Sequence, residues 1–210
     1  MKVLLASRNA KKLAELRRIL AAAALDVSLV GLDEVPSYVE SPETGLTFAE
    51  NALLKAREGA AHTGLPTVAD DSGLAVDALN GMPGVFSARW AGFAGRAGAA
   101  ARDLANLALL LAQLADVPDE HRGAAFVCAA ALVLPDGREW TVHGEMRGRV
   151  IREPRGTGGF GYDPVFVADG HTRTNAELTP EEKDAISHRG KAFRELARIL
   201  AAEVRSSSGS

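Results

Sequence analysis

Four segments of the chain carry residue types and spacings suited to chemistry. Asp70-Asp71-Ser72-Gly73 places neighbouring carboxylates where a strand pattern is expected to break, and such a pair repels itself unless a cation or hydrogen-bond donor balances it. A divalent metal would serve, because Mg2+ takes hard oxygen ligands, commonly one or two carboxylates with substrate phosphates, leaving a second Asp to act on water. An Asx-type turn explains the same four residues if they stand alone. Ser7-Arg8-Asn9-Ala10-Lys11-Lys12 gathers a hydroxyl, an amide, two ammonium groups and backbone N–H groups just where a helix begins, an arrangement that favours anions. It is neither a Walker A loop nor a Gly-rich dinucleotide turn, and an ordinary helix start with solvated lysines would read the same way. Phe160-Gly161-Tyr162-Asp163-Pro164 follows Gly156, Gly158 and Gly159, leaving room around one aromatic face for a planar base, or simply forming a Gly-rich turn with Phe160 in the core. Ser187-His188-Arg189 puts a ring and a guanidinium fork at a helix junction, able to donate to carbonyl or phosphate oxygens.

The elements that must hold these segments follow from the hydrophobic pattern. Residues 2–6 read as a buried strand, and Leu13, Leu16, Ile19 and Leu20 mark one face of a helix that starts near Lys11. A second strand is expected over Val27 to Leu32, then a loop rich in Pro, Ser and Glu through Leu46. Thr47 and Glu50 form a capping box for a helix to about His62, stopped by Gly64 and Pro66. On that helix Asn51 and Lys55 lie four apart and share a face. Thr67 to Ala69 and Leu74 to Val76 read as two strand pieces on either side of the Asp pair. A Gly-rich loop over Gly81 to Gly98 precedes a helix from Arg102 to Leu114. Ala124 to Leu134 and Glu139 to Val150 form a hairpin around Pro135-Asp136-Gly137, and a short strand covers Val165 to Val167. Thr179, Pro180 and Glu182 open a C-terminal helical region that Ser187 to Gly190 interrupts and Lys191 to Val204 resumes. Strands alternating with helices around one core predict the α/β class, with residues 1–204 as a single domain and 205–210 as a low-complexity tail.

Composition limits the possible functions. The 210 residues, 47% hydrophobic, suffice for a sizeable core, and 24 Lys+Arg against 27 Asp+Glu give a formal charge of −3. No basic excess points to nucleic acid or an anionic membrane. The longest apolar run, Ala124 to Leu134, is far below the ~20 residues of a spanning helix, and the start is too short for a signal-peptide core, so a cytoplasmic protein is expected. The only cysteine, Cys128, lies within that run and reads as a small buried thiol. Among the 24 cationic residues only six are Lys, and Lys11, Lys12, Lys55 and Lys183 all fall in the segments above or in the helix after Thr47.

Taken in order, Ser7 to Lys12, Glu43-Thr44-Gly45, Glu50-Asn51-Ala52 with Lys55, Asp70 to Leu74, Gly158 to Pro164, and Glu181 to Gly190 resemble the inosine/xanthosine triphosphate pyrophosphatase family. The resemblance spans residue 2 to about 200. It implies two lobes around a long mixed β-sheet with flanking helices and a nucleotide cleft between the lobes, Mg2+ as cofactor, and a homodimer that hydrolyses ITP, dITP and XTP to monophosphate and pyrophosphate. By the same resemblance the turn Ser7, Arg8, Asn9, Ala10, Lys11 and Lys12 holds the triphosphate, with Arg8 acting only through its backbone and Lys55 adding charge. Asp71 is implied as general base and metal-associated carboxylate, with Asp70 and Glu43 as further metal ligands and Ser72 as a substrate contact. Phe160 would stack on the purine, Gly161, Tyr162 and Asp163 would shape the base and sugar pocket, and Lys183, His188 and Arg189 would read the base. Three departures stand out: Arg8 occupies a position where the family usually has glycine, Asn175 precedes Ala176-Glu177-Leu178 where a small or aromatic residue is usual, and the stretch from Gly92 to Ala101 is unusually rich in Ala and Gly. The alternatives are a Maf-like pyrophosphatase for pyrimidine or modified nucleotides and a nucleotide-binding regulator without catalysis.

Overall fold

A computed structural model describes residues 1–22, 27–92 and 98–207, with the side chains of Lys11 and of 204–207 outside that description. The expected Gly-rich loop is therefore described only in part. Six strands form one mixed sheet in the order β2-β1-β3-β4-β5-β6. They are β1 (Lys2–Leu5), β2 (Ser28–Val30), β3 (Thr67–Val76), β4 (Gly123–Val133), β5 (Glu139–Val150) and β6 (Phe166–Ala168). β1 pairs in parallel with β2 and β3, whereas β5 and β6 are antiparallel. The helices are α1 (Ala10–Ala22), α2 (Phe48–Thr63), α3 (Ala99–Gln113), α4 (Pro180–Ile186) and α5 (His188–Ser207). The α/β expectation holds. Among the described residues no helix is long and apolar enough to cross a membrane.

The chain forms two compact units. The first comprises Met1–Asp71, Cys128–Gly144 and His188–Ser210. Its core packs the apolar faces of α1 (Leu16, Ile19, Leu20) and α5 (Phe193, Leu196, Leu200) with Val3, Leu5, Val68 and Leu132 of the strands. Cys128 is fully buried there, and burial pushes its thiol far above the usual range, which leaves it an inert core residue. The small residues Ala52, Ala56 and Ala60 of α2 pack on Ala69, Ala129 and Ala131, so this helix can lie close to the strands. The second unit comprises Ser72–Val127 and Glu145–Ser187, with a core of Leu74, Val76, Leu107, Leu110, Phe126, Val150 and Phe166.

Local chemistry explains the element boundaries. At the start of α2 the Thr47 hydroxyl accepts the Glu50 N–H at 3.2 Å, the Glu50 carboxylate accepts the Thr47 N–H at 3.1 Å, and Gly64 closes the helix with its N–H on Ala60 O. Thr179 caps α4 in the same way. Several boundaries differ from expectation. β3 is one continuous strand rather than two pieces, because the Asp pair finds its compensating charges in other elements and the ladder runs through it. α3 begins at Ala99, three residues early, and a 3-10 turn over Gly84–Arg89 occupies part of the Gly-rich loop. α5 starts at His188, so only Ser187 separates it from α4, and it continues to Ser207, past the expected end at Val204; residues 208–210 lie outside the description.

Candidate active site

In the first unit, the turn from β1 to α1 organises itself through its own side chains. Ser7 Oγ accepts the Asn9 N–H at 3.2 Å, and Asn9 Oδ1 accepts the Lys12 N–H at 3.4 Å, capping α1. Ser7, Arg8, Asn9 and Ala10 line a pocket of about 250 Å3 together with Leu13, Leu32 and Asp33. The Arg8 side chain is exposed and paired with Glu40, so of this residue only the backbone belongs to the turn. The Lys11 side chain lies outside the described residues.

Lys12 reaches the Asp pair, placing its ammonium 2.9 Å from Asp70 Oδ2. Asp70 has no exposed side-chain surface, and Arg189 Nε stands 3.3 Å from the same oxygen while its Nη1 lies 2.9 Å from Glu15. Burial alone would raise the Asp70 carboxyl. Lys12, Arg189 and Lys55 outweigh it and hold the group well below the usual carboxylate range. Arg189 is buried with its guanidinium between Asp70 and Glu15, and Asp70 is enclosed between Lys12 and Arg189. His188, at the first position of α5, is 5% exposed, which leaves little of its ring to meet a ligand.

Asp71 has a different environment. Asn51 Nδ2 donates to Asp71 Oδ2 at 3.0 Å, and Lys55 Nζ lies 3.7 Å from Asp71 Oδ1 and 2.8 Å from Glu43 Oε1. Burial, reinforced by the Glu43 charge, lifts the Asp71 carboxyl above its ordinary value despite Lys55 and the Asn51 bond. Burial opposes the charge on Lys55, but Asp71, Asp70 and Glu43 prevail and raise it. Asn51 is fully buried, and its Oδ1 accepts the Gly45 N–H at 2.8 Å, so one amide orients both Asp71 and the turn that carries Glu43. A Cβ on Gly45 would come within 2.7 Å of that Oδ1, which is why the turn needs glycine.

Among the described residues, no three His, Cys, Asp or Glu side chains gather into a metal-holding cluster. Glu43 and Asp71 alone do converge on one cationic centre, the Lys55 ammonium, with side chains 32% and 11% exposed. Two hard oxygen donors already facing positive charge suit Mg2+, which completes its shell with water and phosphate.

The second unit holds the aromatic segment. Phe160 is half-buried, with the Lys183 ammonium 5.1 Å from its ring centroid. Lys183 also pairs with Asp163 Oδ2 at 2.5 Å, and the Phe160 N–H donates to that oxygen at 2.8 Å. The Gly161 N–H donates to Asp103 at 3.0 Å. Tyr162 is a core residue whose hydroxyl donates to Ser87 O at 2.9 Å, and burial raises its pKa, so it shapes the segment without offering a free phenol. Ser72, half-buried, is the first residue of this unit.

The sequence reading assigned no role to Asn51, Glu15, Asp103 or Asn175. Of these, Asn51 had a usable signal in its shared face with Lys55; the others are defined only by long-range partners.

A turn of cations and carboxylates in one α/β unit, and a ring with an ammonium against its face in the other, are the equipment of a nucleotide-handling protein. Comparison with known proteins agrees. The sequence profile of the Ham1 family matches residues 3–199, and the chain belongs to that family. It is 68% identical over 200 residues to the dITP/XTP pyrophosphatase of Frankia alni, covering 95% of this chain and 97% of that protein. The crystal structure of the nucleoside-triphosphatase, dITP/XTP pyrophosphatase, from Mycobacterium abscessus is 62% identical, with TM-score 0.75 over 93% of this chain and 98% of that one. A HAM1 protein from Coxiella burnetii is 44% identical, with TM-score 0.83 over 95% and 98% of the two chains.

Proposed function

We propose that this protein hydrolyses non-canonical purine nucleoside triphosphates, dITP, ITP and XTP, between the α and β phosphates, releasing the monophosphate and pyrophosphate. The observation that carries the reading is Asp71, a carboxylate of raised proton affinity held by Asn51 beside Lys55. A general base works best when its pKa approaches the operating pH, and burial moves Asp71 in that direction. Asp71 takes the proton of the attacking water, and Asn51 fixes which oxygen is offered. Lys12 and Lys55 offset charge on the phosphate chain, joined by the backbone of Ser7, Arg8, Asn9 and Ala10 and by Lys11. Glu43 and Asp71 are the residues that would hold Mg2+, which when bound supplies positive charge to phosphate oxygens. In the second unit, Phe160 offers a face to the purine, with Gly161, Asp163 and Lys183 around it and Ser72 as a further contact.

Discrimination follows from donor matching. The Lys183 ammonium beside Phe160 is a donor that suits O6 of hypoxanthine or xanthine, while the 6-amino group of adenine would meet it with nothing to accept, a mismatch worth up to ~10⁴-fold in a site built on that bond. A cytoplasmic homodimer completes the proposal. The test is a panel of nucleoside triphosphates with Mg2+, assayed separately for pyrophosphate and orthophosphate, with light scattering for the dimer. Pyrophosphate from dITP, ITP and XTP at rates far above ATP is expected. Orthophosphate as first product, equal rates on ATP, or binding without turnover would overturn the reading.

A further inference from the structure

We propose that Asn175 is a positioning residue for base recognition, acting through Asp163 to set the Lys183 ammonium against the face of Phe160. The proposal rests on the base-binding role given above to Phe160 and Lys183. Asp163 is 3% exposed and sits at the centre of the cluster. Its Oδ2 takes the Phe160 N–H at 2.8 Å and the Lys183 ammonium at 2.5 Å, and its Oδ1 takes Asn175 Nδ2 at 3.2 Å. Without the third bond the carboxylate would be held only by the two groups it is meant to orient. Asn175 supplies a fixed point from outside the Phe160 loop.

Two features show that the amide is set by Asp163. Asn175 is 1% exposed and its Oδ1 accepts no hydrogen bond from any described residue, although burying an unsatisfied carbonyl is unfavourable. The orientation is therefore dictated by the nitrogen. The fit is also tight on the opposite side, where a Cβ on Gly159, at φ +70°, would come within 2.1 Å of Asp163 Oδ2.

The turn that carries Asn175 does not depend on the Asn175 side chain. Thr174 Oγ1 donates to Arg155 O at 2.8 Å, the Gly158 N–H donates to Ala176 O at 3.0 Å, and the Thr174 N–H donates to Glu177 at 2.6 Å. Replacing Asn175 should leave this turn in place.

The test compares Asn175→Leu, of similar size without a donor, with Asn175→Ser, which keeps a shorter donor. Asn175→Leu should raise KM for dITP and Kd for IMP about tenfold, the loss of one hydrogen bond to a charged group, with kcat and pyrophosphate inhibition changed less than about threefold. Asn175→Ser should lie between it and the wild type, and carries the test alone if the Leu variant does not fold. A second measurement needs no nucleotide: acylation of Lys183, followed by mass spectrometry, should run faster in the variants because the ammonium is less firmly held. Unchanged IMP affinity with unchanged Lys183 labelling, or equal losses of IMP and pyrophosphate affinity, would overturn the proposal. If the wild type neither binds IMP nor cleaves dITP while the variants still label faster, the base-binding role fails and the positioning stands.

Discussion

Replacing Asp70 with Asn would leave two buried cations facing a neutral amide. The Asp70 side chain has no exposed surface, and those of Lys12 and Arg189 are 16% and 5% exposed. Arg189 keeps Glu15 and Lys12 can turn toward solvent, so the cost should fall at the lower end of the range for a broken buried pair, about 3 kcal/mol. For a chain of this length that corresponds to a melting point lower by roughly 6–12 °C. The sign with pH follows from the depressed Asp70 carboxyl. A group held below its unfolded value of about 3.9 contributes stability above that pH and loses it as pH falls through the folded value. The gap between wild type and Asp70→Asn in urea or thermal unfolding should therefore be constant from neutral pH down to about pH 5, and close below about pH 4. Added Mg2+ should not restore the variant. A melting point within 1 °C of wild type would refute the counter-ion assignment, since it falls far short of the roughly 6 °C minimum, and full rescue by Mg2+ would return Asp70 to the metal.

Asp71→Asn keeps the shape but cannot accept a proton, so kcat should fall at least ~10²-fold while dITP binding persists; loss of binding with kcat intact would move the base elsewhere. Lys55→Ala, which removes a cation neighbouring Asp71, should move the acid limb of the kcat-pH profile to higher pH; a limb that moves down would contradict it. Asn51→Leu should lower kcat about tenfold or more with little change in melting point beyond that of two buried hydrogen bonds, since it frees both Asp71 and the Gly45 turn; parallel loss of stability and rate would assign Asn51 to folding alone.

Much of this arrangement was legible in the residues, for stated reasons. The helix starts at Thr47 and Thr179 were readable because a capping box is a contact between residues three apart. The role of Asp70 was not readable, since its partners Lys12 and Arg189 lie 58 and 119 positions away. For the same reason β3 looked broken: two carboxylates in an apolar strand signal a break unless distant cations are known to meet them. The carboxylates that hold Arg189 were not readable because a guanidinium at a helix junction has the same local pattern whether it faces a ligand or a buried carboxylate. The Asn51 amide was hidden behind a helix-face relation that says which residues are neighbours and not what they hold.

In the first unit each of Lys12, Lys55 and Arg189 already faces at least one carboxylate, from Glu15, Glu43, Asp70 or Asp71. A polyphosphate therefore finds these three cations already engaged. It can reach them by drawing a lysine away from its carboxylate or by arriving with counterions of its own. Binding of the bare anion should then take up protons from solution as the displaced carboxylates are neutralised, whereas binding of a cation-paired anion should not. The resting cluster acts as an ion exchanger, and its occupancy should be governed as much by which cations accompany the nucleotide as by the nucleotide itself.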